Sequence, residues 1–189
     1  MIIKRRKLLF FIGLFYVSYS PSTAARRKKL PAIERSAAQV FRGHHQFAWI
    51  ADDEVQSEQD HLQFIQDNRE WVAVDNDDQP IGFINVDKLT HSLHIGEISV
   101  CQSWQGKGVG RALIQHILQY ALQHHFDYVT LTTFREIPWN APYYQRFGFS
   151  IIDEEALPTE LEEILQQEID AGFNAADRCA MRVKIVRPN

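Results

Sequence analysis

The sequence predicts a mixed α/β domain in which helices flank a central mixed β-sheet. Two observations lead to this prediction. Short runs rich in β-branched and aromatic residues alternate with amphipathic helical stripes along most of the chain. A glycine-rich turn, residues 105–111, separates a strand-like run from the clearest of the helical stripes. A turn of this kind is typical of anion-binding sites in α/β proteins.

The predicted strands are short runs bounded by turn residues. They cover residues 15–20, 71–74, 81–86, 93–100, 128–132, 149–152 and 180–185. Turn-forming residues at 75–80 join the second and third of these strands into a hairpin.

The predicted helices follow the spacing of apolar residues. They cover residues 30–41, a stretch that begins after 57, and residues 113–122, 143–147 and 160–171. Ser57 is the expected N-cap of the second helix, with Leu62, Phe64 and Ile65 on its buried side. Gly172 is the expected C-cap of the last helix.

The composition is that of a globular protein. The 189 residues are 45% apolar and 23% charged, which suits one ordinary domain with a hydrophobic core. Two cysteines, Cys101 and Cys179, are too few for a disulfide framework. The sequence has no CxxC pair and no Cys/His cluster, so we expect no metal site.

The net charge of −4 hides a strong asymmetry. Residues 1–30 hold eight of the 20 Lys and Arg residues and none of the 24 acidic ones. The remainder is therefore strongly acidic. An acidic body argues against nucleic acid as a partner and favours a cationic, amine-bearing substrate.

The N-terminus combines a basic cluster, Lys4–Lys7, with a ten-residue apolar run, Leu8–Val17. This run is half of the ~20 residues that a membrane-spanning helix needs. Three interpretations stand: a signal peptide cleaved near Ala24, a membrane-surface anchor over residues 1–20, or an extension joined to the first strand. We favour the third, because cleavage would remove that strand. The expected organisation is an extension over 1–13 and a single domain over 14–189.

The glycine-rich turn has the composition of a phosphate cradle. Glycines at alternate positions let a pyrophosphate approach backbone N–H groups at a helix N-terminus, and two cations add positive charge. The seven residues are Gln105, Gly106, Lys107, Gly108, Val109, Gly110 and Arg111. The run is neither a Walker A loop, since no Gly-Lys-Ser/Thr ends it, nor a dinucleotide fingerprint, since arginine stands where the last glycine belongs.

Two motifs resemble one family. The pattern Gln105-x-x-Gly108-x-Gly110 is similar to the Q/R-x-x-G-x-G/A signature of the GNAT superfamily of acyl-CoA-dependent N-acyltransferases. The segment Tyr143–Phe149 resembles that family's late Y-x-x-x-G-F motif. The likeness extends over residues 15–185, and two motifs at the right separation are more specific than either alone.

The resemblance implies a cytoplasmic N-acetyltransferase that moves an acetyl group from acetyl-CoA to a primary amine by direct attack in a ternary complex. The backbone of Ile98, Ser99 and Val100 would pair with the pantetheine arm. The amides of Gly106–Gly110, with Gln105 and Arg111, would hold the pyrophosphate. Tyr144 occupies the position of the family's tyrosine that protonates the departing thiolate, as a phenol of pKa ~10 can do at neutral pH.

One position departs from the family pattern. Many members have an asparagine seven residues before that tyrosine, where this sequence has Ile137. Asn140 is the candidate that would serve the cofactor from a shifted register. Its alternative role is to cap the short helix that follows.

Several groups are candidates for the general base that removes the proton of the amine. Glu97 is the first candidate, because a carboxylate inside a strand is costly unless it faces water or a partner. A salt bridge is its alternative role. His94, which alternation places on the opposite strand face, and water are the other candidates. His44 and His45 lie in a loop that could line a substrate entrance, and Cys101 lacks the His/acid partners of an acyl-enzyme nucleophile.

Two other function classes remain. One is a catalytically silent CoA-binding or regulatory domain, and the other is a membrane-surface protein whose N-terminus is the functional part. Among enzymes, a small-molecule amine and a peptide amine fit equally well. The sequence leaves a homodimer open.

Overall fold

The computed structural model describes residues 15–19 and 24–187. Among these residues, seven strands form one sheet in the order β1-β2-β3-β4-β5-β7-β6. The strands are β1 (Phe15–Tyr19), β2 (Glu70–Asp75), β3 (Pro80–Lys88), β4 (Ser92–Val100), β5 (Tyr128–Phe134), β6 (Ser150–Ile151) and β7 (Arg178–Lys184). The helices are α1 (Ala24–Arg27), α2 (Leu30–Ala37), α3 (Glu58–Gln66), α4 (Val109–Gln123), α5 (Ala141–Gln145) and α6 (Thr159–Asp170).

The sheet is mixed, which confirms the predicted fold class. β4 and β5 run parallel, whereas β1–β2, β2–β3, β5–β7 and β6–β7 are antiparallel pairs. The predicted hairpin is β2–β3, in which Trp71 pairs with Ile84 and Glu70 with Asn85. All seven predicted strands are present, with ends that differ by a few residues.

The chain divides into two compact units, the first made of Met1–Val86 and Glu97–His116. Helix α2 packs its apolar stripe on β2 and β3. The core consists of Leu30, Ile33, Val72, Val74 and Phe83. This helix ends at Ala37, four residues before the predicted end, and a 3₁₀ segment continues over Ala38–Gly43.

Helix α3 begins as predicted but buries a different residue. Ser57 is its N-cap and forms a reciprocal capping box with Asp60. The predicted inner face, Leu62, Phe64 and Ile65, is only half-buried, and the fully buried residue is His61. The prediction that α3 buries apolar side chains was therefore wrong for its fully buried position, which His61 occupies.

The second unit consists of Asp87–Gly96 and Ile117–Asn189. Leu161 of α6 packs against Ile152 and Ala180 in its core. Gly172 has φ +108° and follows the last residues of α6, as a glycine at a helix end should.

Part of the N-terminal prediction lies outside the described residues. Residues 1–14 and 20–23 are not among those described. The extension over 1–13, the cleavage site near Ala24 and the membrane-surface anchor therefore stay predictions. The single domain over 14–189 also stays a prediction. The strand predicted at the junction is present as β1 and pairs with β2. Within 24–187, no helix is both long and apolar enough to cross a membrane.

His116 is a buried histidine on α4. Its side chain is 9% exposed, and its ring lies 5.4 Å from the Trp71 ring, centroid to centroid. Within the described part of the chain, neither ring nitrogen has a hydrogen-bond partner. Burial lowers the pKa of His116 from its ordinary 6.5 to about 4, so the ring is neutral in the folded protein at neutral pH.

Acid should destabilise the fold through His116. The unfolded chain binds a proton at this residue below about pH 6.5, whereas the folded chain does so only near pH 4, so stability is lost as pH falls between these values. At 1.36 kcal/mol per pKa unit, the loss is about 3 kcal/mol. Urea unfolding at several pH values should show a smaller loss for His116→Phe.

The exposed His45 supplies the control. His45→Phe should keep the wild-type pH dependence of the free energy of unfolding. Identical pH dependence for wild type and His116→Phe would contradict the assignment of acid lability to His116.

Candidate functional site

The glycine-rich turn forms an open loop at the start of α4. Gly106 and Gly108 have φ of +73° and +90°, a region that side chains other than glycine rarely adopt. No heavy atom lies within 4 Å of the position of a Cβ at either residue. The helix begins at Val109, and its first N–H groups have no partner within the helix. This arrangement is an unobstructed anion cradle.

The side chain of Gln105 anchors this cradle. Its Nε2 donates to the carbonyl oxygen of Val100 at 3.2 Å and to that of Ala37 at 3.4 Å. The side-chain amide nitrogen of Gln105 therefore holds the start of the loop to the ends of α2 and β4. Direct contact between Gln105 and a phosphate, which the family resemblance implies, stays a prediction.

Two cations border the cradle. Lys107 is exposed, and its Nζ lies 4.9 Å from the centre of the Trp104 ring, within the range of a cation–π contact. Arg111 is exposed on the first turn of α4. Both charges are thus available to an anionic ligand.

The end of β4 lies beside Gly82 of β3. The buried Ser99 donates from Oγ to Oε1 of Glu97 at 2.7 Å, and the N–H of Cys101 donates to the carbonyl of Ile81 at 2.9 Å. The parallel pairing of β4 with β5 covers Ser92–Ile95. The residues expected to bind pantetheine, Ile98–Val100, lie beyond this paired stretch.

Glu34 on α2 is a functional candidate that sequence reasoning missed. It is half-buried, and its Oε2 accepts a hydrogen bond from the backbone N–H of Gln56 at 3.1 Å. Burial and the nearby Glu97 carboxylate raise the pKa of Glu34 to about 8. A signal was present, because Glu34 lies four residues after Leu30 and next to Ile33, on the apolar stripe of its helix.

The same unit contains a cluster of buried polar side chains. His61 Nδ1 and Glu70 Oε2 lie 2.7 Å apart, and both side chains are fully buried. Asn85, also fully buried, donates from Nδ2 to Oε1 of Gln56 at 2.7 Å. Burial raises the pKa of Glu70, while His61 and Asn85 act in the opposite direction. Within the described residues, three atoms of this group have no hydrogen-bond partner: His61 Nε2, Glu70 Oε1 and Asn85 Oδ1.

The other histidine candidates lie elsewhere. His94, in the second unit, is 3% exposed, and its Nδ1 lies 3.1 Å from Oγ1 of Thr130. Burial lowers the pKa of His94. His44 stacks on Phe47 with ring centroids 4.8 Å apart, and His45 is exposed. Within residues 15–19 and 24–187, none of the three forms a hydrogen bond with a carboxylate, as His61 does with Glu70.

Both cysteine thiols are held in their protonated form. Cys101 is half-buried against the core of the first unit, and Cys179 is buried in the second. Burial is the main cause that raises the pKa of each thiol. A thiol with a raised pKa is a poor nucleophile at neutral pH, which agrees with the argument against an acyl-enzyme at Cys101.

Tyr144 belongs to α5 in the second unit. Its side chain is 8% exposed, and its ring makes edge contacts with Tyr143 and Phe149 at centroid distances of 5.7 and 6.0 Å. Tyr143 packs on Phe147 at 5.2 Å, as the predicted helical spacing requires. The Tyr144 ring therefore belongs to the same aromatic cluster as Tyr143.

Asn140 precedes α5 and caps it with its backbone. Its carbonyl accepts from the N–H groups of Tyr143 and Tyr144, while its Nδ2 donates to Oγ1 of Thr133 at 2.7 Å. The side chain makes no capping hydrogen bond, and Oδ1 is buried without a partner among the described residues. Ile137, at the family's usual asparagine position, is a core residue with 3% exposure. Contact between Asn140 and a cofactor stays a prediction.

Comparison with known proteins gives one family. The sequence model of the Acetyltransferase (GNAT) family matches residues 33–149, more than half of the chain. The chain belongs to the GNAT family. This membership makes it an acyltransferase by family and confirms the resemblance stated from the two motifs.

A curated relative and two solved structures agree with GNAT membership. The relative is the peptidyl-lysine N-acetyltransferase YjaB of Escherichia coli (strain K12), 30% identical over 81 residues, which are 43% of this chain and 49% of YjaB. The chain thus matches about half the length of that relative. The ribosomal-protein-S18-alanine N-acetyltransferase of Escherichia coli has a TM-score of 0.61 at 18% identity, over 93% of this chain and 96% of the other.

The second structure is the PaiA N-acetyltransferase of Thermoplasma acidophilum, solved in complex with coenzyme A. Its TM-score is 0.63 at 15% identity, over 90% of this chain and 98% of the other. At these identities the two structures establish that the chain has the GNAT fold. The cradle of this chain has room for an anionic group, because the Cβ positions of Gly106 and Gly108 meet open space and two exposed cations border it. Within the described residues, no cluster of His, Cys, Asp or Glu is placed to hold a metal ion.

Gly82→Ala should disturb the end of β4. A Cβ at this position would lie 2.9 Å from the carbonyl oxygen of Ser99 and 3.3 Å from methyl groups of Val100 and Val109. Because backbone must move to relieve this contact, we expect a loss of about 1–3 kcal/mol in the free energy of unfolding, measured with urea. Weaker binding of acetyl-CoA, measured by calorimetry, should accompany it.

Gly43→Ala is the matched control. A Cβ at residue 43 would meet no atom within 4 Å, so both the free energy of unfolding and the affinity should stay near the wild-type values. If Gly82→Ala left both quantities unchanged, the close approach at the end of β4 would have no energetic consequence.

Proposed function

We propose that this chain is an N-acetyltransferase that transfers an acetyl group from acetyl-CoA to a primary amine by direct attack in a ternary complex. The observation that supports this most is the open cradle at the N-terminus of α4, where Gly106 and Gly108 adopt positive φ and leave room for an anionic ligand. Family membership makes acetyl-CoA the natural donor.

The cradle and the end of β4 would bind the two parts of coenzyme A. Backbone amides from Gly106 to Gly110, with Lys107 and Arg111, would hold the pyrophosphate by hydrogen bonds and charge. The backbone of Ile98, Ser99 and Val100 would hold the pantetheine arm, and a backbone N–H near Val100 would polarise the thioester carbonyl. Asn140 in the second unit is a further proposed contact with the cofactor.

The proposed reaction requires two proton transfers. An amine of pKa ~10 is protonated at neutral pH and must lose a proton before it can attack, so we assign the base to Glu97. The departing thiolate must gain a proton, and we assign this step to the phenol of Tyr144. Acetyl-CoA supplies the activated acyl group as a thioester, so the chain needs no covalent intermediate of its own.

The acceptor is proposed as a small-molecule or peptide amine. The relatives point in both directions within this class, since YjaB is named for peptidyl-lysine and the Escherichia coli structure for the alanine of a ribosomal protein. The acidic body of this chain, with 24 acidic residues, favours a cationic acceptor over a nucleic acid. A cytoplasmic location would provide the coenzyme.

Calorimetric titration with acetyl-CoA tests the donor. We expect micromolar affinity, about −8 kcal/mol, for the wild-type protein. Gly108→Glu should abolish detectable binding, because a negative side chain would fill the open space where the phosphates are to lie. Gly172→Glu is the matched control, since Gly172 also has positive φ and open space around it but lies at the end of α6.

The outcomes separate the alternatives. Binding that survives in Gly172→Glu and is lost in Gly108→Glu supports the cradle. A folded wild-type protein that binds no acetyl-CoA contradicts the proposal. Binding without turnover of any amine would favour the catalytically silent CoA-binding domain.

Tyr144→Phe tests the proton donor. The variant keeps the ring contacts with Tyr143 and Phe149 and removes only the hydroxyl. We expect kcat to fall by about 10²-fold or more with the affinity for acetyl-CoA unchanged, as for loss of a general acid. Tyr143→Phe is the control and should retain wild-type kcat, whereas an active Tyr144→Phe would place the proton donor elsewhere.

A further inference from the structure

We infer that Trp104 is a positioning residue for the cofactor: its ring restrains the ammonium group of Lys107 at the glycine-rich loop, where this charge binds the phosphates of acetyl-CoA. The inference rests on the proposed function and deepens it. It assigns a task to a side chain that lies outside both sequence motifs, and it fixes the sign of the effect, because a ring that holds the charge at the loop strengthens binding.

The segment that carries Trp104 is attached to two neighbouring elements. The N–H of Cys101 donates to the carbonyl oxygen of Ile81 on β3 at 2.9 Å, and the N–H of Gln102 donates to Oγ of Ser36 on α2 at 3.1 Å. The N–H of Trp104 then closes a 3₁₀ turn on the carbonyl oxygen of Cys101 at 2.8 Å. Three hydrogen bonds thus fix the backbone that carries the half-buried indole ring.

The backbone around Lys107 has the opposite character. Lys107 is exposed and lies between Gly106 and Gly108, which both have positive φ and the conformational freedom of glycine. Lysine is also among the residues that lose most side-chain entropy when they are ordered. Among residues 15–19 and 24–187, Lys107 forms no ion pair with a carboxylate. Its charge is therefore not neutralised by this part of the chain.

One side-chain contact restrains this lysine. The Nζ of Lys107 lies 4.9 Å from the centre of the Trp104 ring, and tryptophan is the aromatic residue that attracts a cation most strongly. The two residues lie three positions apart, in the segment that leads into α4 at Val109. A fixed ring thus holds a flexible cation beside the helix N-terminus at which the anion is proposed to bind.

A cation that is restrained in advance binds an anion more tightly than a mobile one. Part of the entropy of the lysine side chain is lost before the ligand arrives, so this cost no longer opposes binding. The ammonium group carries three N–H donors, and the indole face covers only one side of it. Donors therefore remain for phosphate oxygens while the contact with the ring persists.

A double-mutant cycle, followed by calorimetric titration with acetyl-CoA, tests the contact. Lys107→Met should weaken binding by about tenfold, because a hydrogen bond from a charged donor is lost. Trp104→Leu should weaken binding by about two- to fivefold, the range of an exposed cation–π contact. The double variant should bind acetyl-CoA as Lys107→Met does, because Trp104 acts only through Lys107.

Three further variants separate positioning from packing. In an Arg111→Met background, Trp104→Leu should still cause its full loss of affinity, because Arg111 is not the cation on the ring. Trp49→Leu removes an exposed tryptophan elsewhere in the same unit and should leave the affinity unchanged. Trp104→Phe keeps an aromatic face and should lose less affinity than Trp104→Leu. This conservative variant also completes the cycle if Trp104→Leu does not fold.

Salt supplies a second readout that packing alone would not change. At about 1 M NaCl the Debye length is about 3 Å, so the charge of Lys107 is largely screened from the phosphates. The affinities of the wild-type protein and of Trp104→Leu should therefore converge as the NaCl concentration rises. A difference that stays constant up to this concentration would contradict a role through Lys107.

The outcomes distinguish this inference from the proposed function. Equal losses from Trp104→Leu in the wild-type and Lys107→Met backgrounds would overturn the role of Trp104 and leave the acetyltransferase proposal intact. Tighter binding by Trp104→Leu would do the same, since it would mean that the ring draws Lys107 away from the loop. A folded wild-type protein that binds no acetyl-CoA would contradict both the proposed function and this inference.

Discussion

The side-chain amide of Gln105 fixes the geometry on which the first unit depends. Its Nε2 bonds to the carbonyl of Ala37, at the end of α2, and to that of Val100, at the end of β4. This amide ties the end of the helix to the end of the strand. Glu34 and Glu97 project from the same two elements. One hydrogen-bonding group thus joins the glycine-rich loop to both α2 and β4.

The first unit also retains two fully buried ionisable side chains in contact, an arrangement that is costly to maintain. Glu70 and His61 lie 2.7 Å apart with no exposure, and taking such groups out of water costs several kcal/mol before their attraction is counted. A pair of apolar residues would fill the same space more cheaply. The cost is understandable if these residues hold Asn85 and Gln56 in place, because those amides in turn define the surroundings of Glu34.

The sequence predicts most of the fold and the position of the glycine-rich loop. Apolar periodicity locates the strands and helices, and the alternate glycines locate the cradle, because both are local properties of the chain. The pKa of Glu34 was out of reach, since it depends on burial and on Glu97, a residue distant in sequence. His61 was missed for a related reason: its burial becomes favourable only once Glu70 of β2 lies opposite. For Asn140, the sequence predicts the capping of α5, which its backbone carbonyl provides. It does not predict the hydrogen bond from its side chain to Thr133 of β5.

The state of the two cysteines affects how the protein can be assayed. The chain contains only Cys101 and Cys179, and burial keeps both thiols protonated at neutral pH. Reagents such as aromatic disulfides react with thiolates and require access to the sulfur. Their coloured product should therefore form slowly with the thiols of Cys101 and Cys179 and rapidly with the thiol of free coenzyme A. Such a reagent would therefore follow the proposed acetyl transfer continuously, through the coenzyme A thiol that this reaction would liberate.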